Sequence, residues 1–418
     1  MTALPSAAAA AAAAGSIKTY RDGTHRVVPP AQTLDRVRRF FPVMGITRVA
    51  NVTGLDTIGI PVVMVVRPNS RSLSVSQGKG LDLAAARASG VMESVESWHA
   101  ERVVRPLKLG SFEELRFTHP LVDVSALSRS DTCRFHRDLS LLWVEGRELL
   151  ADEPVWVPYE TVHTNYTLPL PAGSGCFPIT SNGLASGNHL LEAISHALCE
   201  VVERDAITLW GLRSDGEKAL TRVDLSTVDD PACHHVVDCY GRAGVDVAVW
   251  ETTSDVGIAS FLCMIDEDGG DALRPLYTAM GSGTHPSREV ALLRALTEAA
   301  QSRLTFISGA RDDMWRESYD RYANVETLTR NRATLRRDRP CRSFDDVPSF
   351  ESDSLADDVA WELERLRSVG INQVVAVDLT RPELRIPVVR VVVPGLEGPL
   401  DKIDGYVPGA RARAARNR

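Results

Sequence analysis

Three segments of this 418-residue chain carry residue types that can do chemistry at a repeating spacing. In Asn182–Ala206, NGLASGNHLLEAISHALCEVVERDA, a helical step of about 100° per residue gathers Glu192, His196, Glu200 and Glu203 on one face. Arg204 flanks that face, and Leu190, Ile194, Ala197 and Val201 lie opposite. From Asp82 to about His99 the same step aligns Ser89, Glu93 and Glu96, with Ala84, Val91, Val95 and Trp98 behind them. In Gly281–Arg303 it aligns Arg294, Glu298 and Gln301, while Leu292, Leu296 and Arg303 point away.

Stacked carboxylates repel one another. Acidic helix faces in solvent usually carry Lys at i+4, and the Glu200 helix has none. A metal ion is the economical compensation. A plain solvated face is the competing reading, and the second acidic helix weighs against it. Mg²⁺ takes hard oxygen ligands and completes its shell with phosphate oxygens. Lys79 and the arginines would meet the remaining phosphate charge. More than two or three Glu would suit more than one ion. Gly78-Lys79-Gly80 lacks the GxxxxGK[ST] spacing of a phosphate loop and reads as a flexible turn. The residues therefore point to Mg²⁺–ATP chemistry without a P-loop.

These faces need a scaffold. Pro61–Val66, Leu141–Val144, Pro154–Val157, Val245–Trp250, Ile258–Ile265, Val374–Val377 and Pro387–Val393 read as strands. Thr33–Phe40 and Leu355–Ser368 read as further helices. Strands and helices cluster unevenly, so the expected class is α+β: mixed or antiparallel sheets flanked by long helices around a central cleft. Gly281-Ser282-Gly283 reads as a turn whose amides could meet an anion, with Thr284 or Ser287 as cap. Cys233-His234-His235 reads as a surface turn after Pro231, and Arg311–Ser349 as an irregular excursion or lid. Residues 1–16 are expected to be a disordered Ala-rich tail, 17–408 the catalytic domain and 409–418 a basic mobile tail.

Composition narrows the partners. A net charge of -8 argues against general nucleic-acid binding. The seven cysteines form no CxxC pair or disulfide framework, which points to a reducing compartment. No apolar run reaches membrane-spanning length, and the Ala run lacks the basic residues of a signal peptide. A cytoplasmic protein is expected.

Five ordered blocks resemble the YcaO family. Ser89, Glu93 and Glu96 match its SxxxExxE pattern, Glu200, Glu203, Arg204 and Asp205 its ExxERD, and Arg294, Glu298 and Gln301 its RxxxExxQ. GITRVANVTGLDTIGIPV and RIPVVRVVVPGLEG are also similar to family blocks, and the resemblance runs from about Lys18 to Pro408. Ser97 departs from it, since many members have Arg there. The resemblance implies ATP-dependent O-phosphorylation of a peptide amide after a nucleophile adds to its carbonyl carbon. It implies Mg²⁺ held by Glu93, Glu96, Glu200 and Glu203, and a nucleotide met by Glu192, Arg204, Arg294 and Glu298, with Lys79, Ser89 and Gln301 beside it. Glu200, Glu203 and Arg204 would be the catalytic residues.

A neighbouring side chain as nucleophile gives an azoline, and external sulfide gives a thioamide. The end of the chain, VPGARARAARNR, lacks the PxPxP of ring-forming members, and no peptide-clamp domain precedes the blocks. Both absences lean away from a self-contained cyclodehydratase, and the unbroken GITRVANVTGLDTIGIPV with VPGLEGPLDKIDGYVPG resembles the TfuA-associated, thioamide-forming branch. That branch implies a peptide or protein substrate, a TfuA-like sulfur-delivery partner and a homodimer. Azoline formation with a separate recognition protein, and a non-catalytic ATP-binding scaffold, remain open on the sequence.

Overall fold

The computed structural model describes residues 15–171, 173–267, 278–322, 324–337, 339–398 and 406–416. Most of the expected N-terminal tail, the stretch from 399 to 405 and the last two residues lie outside them.

The strands are β1 (Arg48–Asn51), β2 (Val62–Val66), β3 (Val75–Lys79), β4 (Leu107–Gly110), β5 (Arg129–Ser130), β6 (Leu141–Glu148) and β7 (Glu153–Pro158). Then come β8 (Leu184–Ser186), β9 (Val245–Glu251), β10 (Ser260–Glu267), β11 (Ala279–Thr284), β12 (Val375–Asp378), β13 (Val388–Val392) and β14 (Tyr406–Val407). Every ladder between them is antiparallel. Two three-stranded sheets have the orders β1-β2-β3 and β11-β10-β9. A six-stranded sheet runs β4-β6-β12-β13-β8, with β7 on β6, and β14 pairs β5. The class is α+β, as the uneven clustering of elements predicts.

The three motif segments form long helices: α1 (Leu83–Ala100), α2 (Leu190–Gly211) and α3 (Arg288–Ser308). Asp82 caps α1 by accepting from the Ala85 amide at 2.7 Å. His189 caps α2 through the Leu191 amide. The apolar face of α2 packs with β12, β13 and α4 (Leu355–Ser368) in one buried cluster that includes Ile194, Ala197, Leu198 and Val201. That burial turns the acidic face of α2 toward α1 and α3.

Glycine explains two departures from the sequence reading. Gly78-Lys79-Gly80 and Gly281-Ser282-Gly283 are not turns; their residues lie mainly in β3 and β11. A Cβ on Gly78 would sit 2.0 Å from the Gly90 nitrogen of α1, and one on Gly281 2.2 Å from the Ala299 nitrogen of α3. Bare backbone is required because each strand lies directly on its helix. The amides of this second glycine pair therefore belong to a sheet, and Ser287 is the N-cap residue of α3.

Three further expectations are corrected. Cys233-His234-His235 lies in a helix, Pro231–Arg242, with Cys233 and Cys239 buried, because Asp230 caps it and Pro231 opens it. The segment after Arg311 holds two helices, Arg316–Tyr322 and Val325–Arg337. Ala410–Arg416 form a helix, α5, rather than a loose tail. Arg411 of α5 donates to buried Asp205 at 2.9 and 3.0 Å, and Glu397 accepts from the Gly409 and Ala412 amides at 2.8 Å. Asp205, the last residue of the ExxERD pattern, thus anchors the C-terminal helix on α2.

Candidate active site

The three helices converge through their polar faces. From α1, Glu96 Oε1 accepts from the amide and hydroxyl of Ser186 on β8, at 2.8 and 2.7 Å. From α2, Glu203 accepts from the Ser282 hydroxyl on β11 at 2.8 Å. The same hydroxyl lies 3.2 Å from Glu298 of α3. Lys79, at the end of β3, pairs with Glu298.

Glu93, Glu96 and Glu200 are half-buried and form the first group. Burial pushes Glu93 up to about 7 against Arg311 and Lys79. It pushes Glu96 up to about 8, with Glu93 and Glu200 adding to the rise and Ser186 opposing it. It pushes Glu200 up to about 7, with Glu203 adding and Arg204, Arg390 and Arg294 opposing. Three neighbouring carboxyls driven toward their neutral forms are groups whose charged forms a bound cation would favour. Among the described residues, no three His, Cys, Asp or Glu side chains stand already gathered as a metal cage. Mg²⁺ needs only one or two carboxylates when phosphates and water supply the rest. The glutamates therefore fit partial shells for ions that arrive with a phosphate chain.

Glu298 forms the second group. Burial alone would raise it, but Lys79, Arg204 and Arg294 outweigh burial and hold it at about 2. Arg294 lies 3.0 Å from His196 Nε2, and its Nε is buried with no partner. Gln301 also has a buried, unpartnered side-chain oxygen. Both unpartnered atoms belong to residues on the face predicted for α3, and buried polar groups of this kind take a partner, whether water or ligand.

Two predicted residues make structural contacts of their own. Ser89 Oγ accepts from the Lys79 amide at 3.4 Å, joining α1 to β3. Glu192 is buried; it accepts from the Val27 amide at 3.0 Å and from Asn188 at 3.1 and 3.2 Å. Arg26 stands 3.8 Å from it. Glu192 thus ties the N-terminal loop to the start of α2.

The structure adds residues that spacing did not reveal. Arg311 bears electrostatically on Glu93, and its neighbour Asp312 accepts from the Ser74 amide at 3.0 Å. Nothing in the irregular charge pattern around Arg311 marks it. Arg390 acts on Glu200 from β13. A single charge inside the apolar run Val388–Val393 was the available signal.

The family model described as YcaO cyclodehydratase, ATP- and Mg²⁺-binding, matches residues 77–397. The chain belongs to the YcaO family. A Rhizobium leguminosarum bv. trifolii protein encoded in the tfuA 3′ region is 36% identical over 386 residues, covering 91% of this chain and 90% of the relative. That relative aligns the chain with the TfuA-associated YcaO branch. The structure of YcaO from Methanopyrus kandleri, bound with AMPPCP and Mg²⁺, shares the fold. Its TM-score is 0.74 at 24% identity, covering 94% of this chain and 99% of that one. A heterocyclase in complex with substrate and cofactor gives 0.75 at 23% identity, covering 92% and 55%. The family's cofactors are ATP and Mg²⁺.

Proposed function

We propose that this YcaO protein activates a backbone amide of a ribosomally made peptide or protein by ATP-dependent O-phosphorylation, with external sulfide as nucleophile and a thioamide as product. The observation that carries the ATP–Mg²⁺ part is the group of three carboxyls, Glu93, Glu96 and Glu200, raised by burial beside a separate cluster of cations. Membership of a branch with a relative encoded beside tfuA supports sulfide over a side-chain nucleophile.

Hydrosulfide adds to the amide carbon, and the resulting oxyanion attacks the γ-phosphorus of ATP, releasing ADP. Collapse of the tetrahedral species expels phosphate and, with loss of the sulfur-bound proton, forms C=S. Amide oxygen leaves poorly as oxide or hydroxide and well as phosphate. In this reading Glu93, Glu96, Glu200 and Glu203 hold Mg²⁺, which neutralises phosphate charge during transfer. Arg204, Arg294 and Lys79 meet the remaining phosphate charge, and Glu298 keeps Lys79 in place. Ser89 and Gln301 support the nucleotide side, and Glu192 shapes its border.

The family description as a cyclodehydratase favours one second reading, in which a Cys, Ser or Thr side chain of the substrate attacks and an azoline forms. Intact-mass spectrometry separates the two. The reaction mixture contains ATP, Mg²⁺, a sulfide donor, the TfuA-like partner and a candidate peptide from a neighbouring gene. Exchange of oxygen for sulfur supports thioamidation, loss of one water supports the azoline, and an unchanged mass supports a scaffold. We further propose a homodimer, tested by light scattering at micromolar concentration. A cytoplasmic location is also proposed. The unpaired state of all seven cysteines supports it, and no described helix is long and apolar enough to cross a membrane.

A further inference from the structure

Beyond Glu200, α2 and β13 border a pocket that neither carboxylate group occupies. Leu127, Pro178, Val201, Val393 and Leu396 give it apolar walls. Polar residues interrupt them, Ser128, Thr161, Thr180 and Glu397 among them, and two carry side-chain atoms left without a partner. Arg390 is 3% exposed and projects from a strand whose other four residues are buried valines. Its Nε donates to the Thr161 carbonyl at 2.9 Å, while its Nη1 is buried with no partner. Asn182 also lines the pocket, and its Oδ1 is buried with no partner. An unsatisfied buried polar group costs about 1–3 kcal/mol. Two residues lining the same pocket thus carry one unpartnered donor and one unpartnered acceptor, which match the acceptor and donor of a peptide bond. Arg390 and Glu200 also act on each other electrostatically, so the pocket adjoins the proposed site of phosphoryl transfer.

We propose that this pocket is the subsite for the substrate's peptide backbone: Arg390 donates to the carbonyl oxygen of the amide to be activated, and Asn182 accepts a backbone N–H. An apolar substrate side chain packs against Val201, Val393 and Leu396. The inference rests on the amide-activation reading and adds where the amide lies. Arg390 fixes the oxygen that receives phosphate, and the valine walls keep water from competing with the nucleophile.

The probe is the blocked peptide N-acetyl-Gly-Val-Gly N-methylamide, followed by saturation-transfer NMR titration on the full chain with Mg²⁺–ATP present. Wild type should show transfer to the amide and isopropyl protons. Arg390→Met and Asn182→Ala should each bind about tenfold more weakly, the loss of one hydrogen bond. Asn182→Ala should keep the thermal shift caused by Mg²⁺–ATP. Asn182→Ala, at a half-buried turn, keeps the test decisive if Arg390→Met folds poorly. Equal peptide binding by wild type and Asn182→Ala overturns the subsite, as does a wild type that does not bind the probe. Loss of the Mg²⁺–ATP shift in Asn182→Ala also overturns it, by assigning that residue to the nucleotide. Absence of that shift in wild type instead refutes the ATP reading beneath it.

Discussion

Two groups of glutamates meet in this protein and are treated in opposite ways. Glu93, Glu96 and Glu200, on α1 and α2, are driven up to about 7, 8 and 7. Glu298, on α3, is held at about 2. Burial acts on all four in the same direction. The difference is how closely the cations engage: Lys79 pairs directly with Glu298, and with Arg204 and Arg294 it outweighs burial there, whereas the cations that act on Glu93 and Glu200 do not offset burial. One group is already neutralised and positions cations. The other is the group that the proposed function assigns to Mg²⁺. Under that proposal the same residue type would serve as organiser or ligand according to its neighbours.

The largest effect should come from Glu200→Gln. Peptide-dependent ATP turnover should fall on the order of a hundredfold, and the stabilisation by Mg²⁺–ATP should shrink with it. The metal-free variant should melt no lower than wild type, because a raised carboxyl is replaced by a neutral isostere. Unchanged turnover with an unchanged shift would remove Glu200 from the metal group. Glu298→Gln should do the reverse to stability. It strips Lys79, Arg204 and Arg294 of their shared partner, and the partly exposed pair should cost about 1–2 kcal/mol in a urea melt. A variant as stable as wild type would erase the contrast between the groups.

The groups should also separate by pH. Glu93, Glu96 and Glu200 bind protons more tightly folded than unfolded. The metal-free protein should therefore lose stability as pH rises from about 4.5 toward 8, then level off. Glu298 has a depressed carboxyl, so its stabilising contribution is present above about 4.5 and is lost as pH falls toward 2. Between pH 5 and 8 it should be constant. Glu96→Gln should flatten the decline in melting temperature over that range, and Glu298→Gln should leave its slope unchanged. Calorimetric scans across pH test both. The smallest effect belongs to Ser282→Ala, which removes the hydroxyl between Glu203 and Glu298. It should cost about 1 kcal/mol in a urea melt of the metal-free protein, and an unchanged midpoint would mean that the hydroxyl contributes nothing between the two groups.

The acidic faces were legible because helical period alone groups Glu93 with Glu96 and Glu200 with Glu203, and apolar residues define the opposite faces. The strand character of Gly78 and Gly281 was not legible. Glycine marks both a turn and a close backbone contact, and only the positions of Gly90 and Ala299 decide between them. The Arg411–Asp205 pair was hidden for a different reason. It spans 206 positions in sequence, and a basic terminal stretch reads as solvated until its partner is seen. Arg311 likewise reaches Glu93 from a segment whose own pattern carries no signal. The sequence also spoke for Arg390, the one charge in a valine strand, but without a direction.

The central claim is that Glu93, Glu96 and Glu200 form a site completed by Mg²⁺. Isothermal titration of preformed Mg²⁺–ATP into the metal-free protein near pH 7, in two buffers of different ionisation enthalpy, tests it directly. Carboxyls raised to about 7–8 must give up protons when the metal takes them. Binding should release on the order of one proton or more. The release should fall in Glu96→Gln and vanish at pH 9, where these groups are already ionised. Binding with no proton release at pH 7, or with proton uptake, would contradict the account.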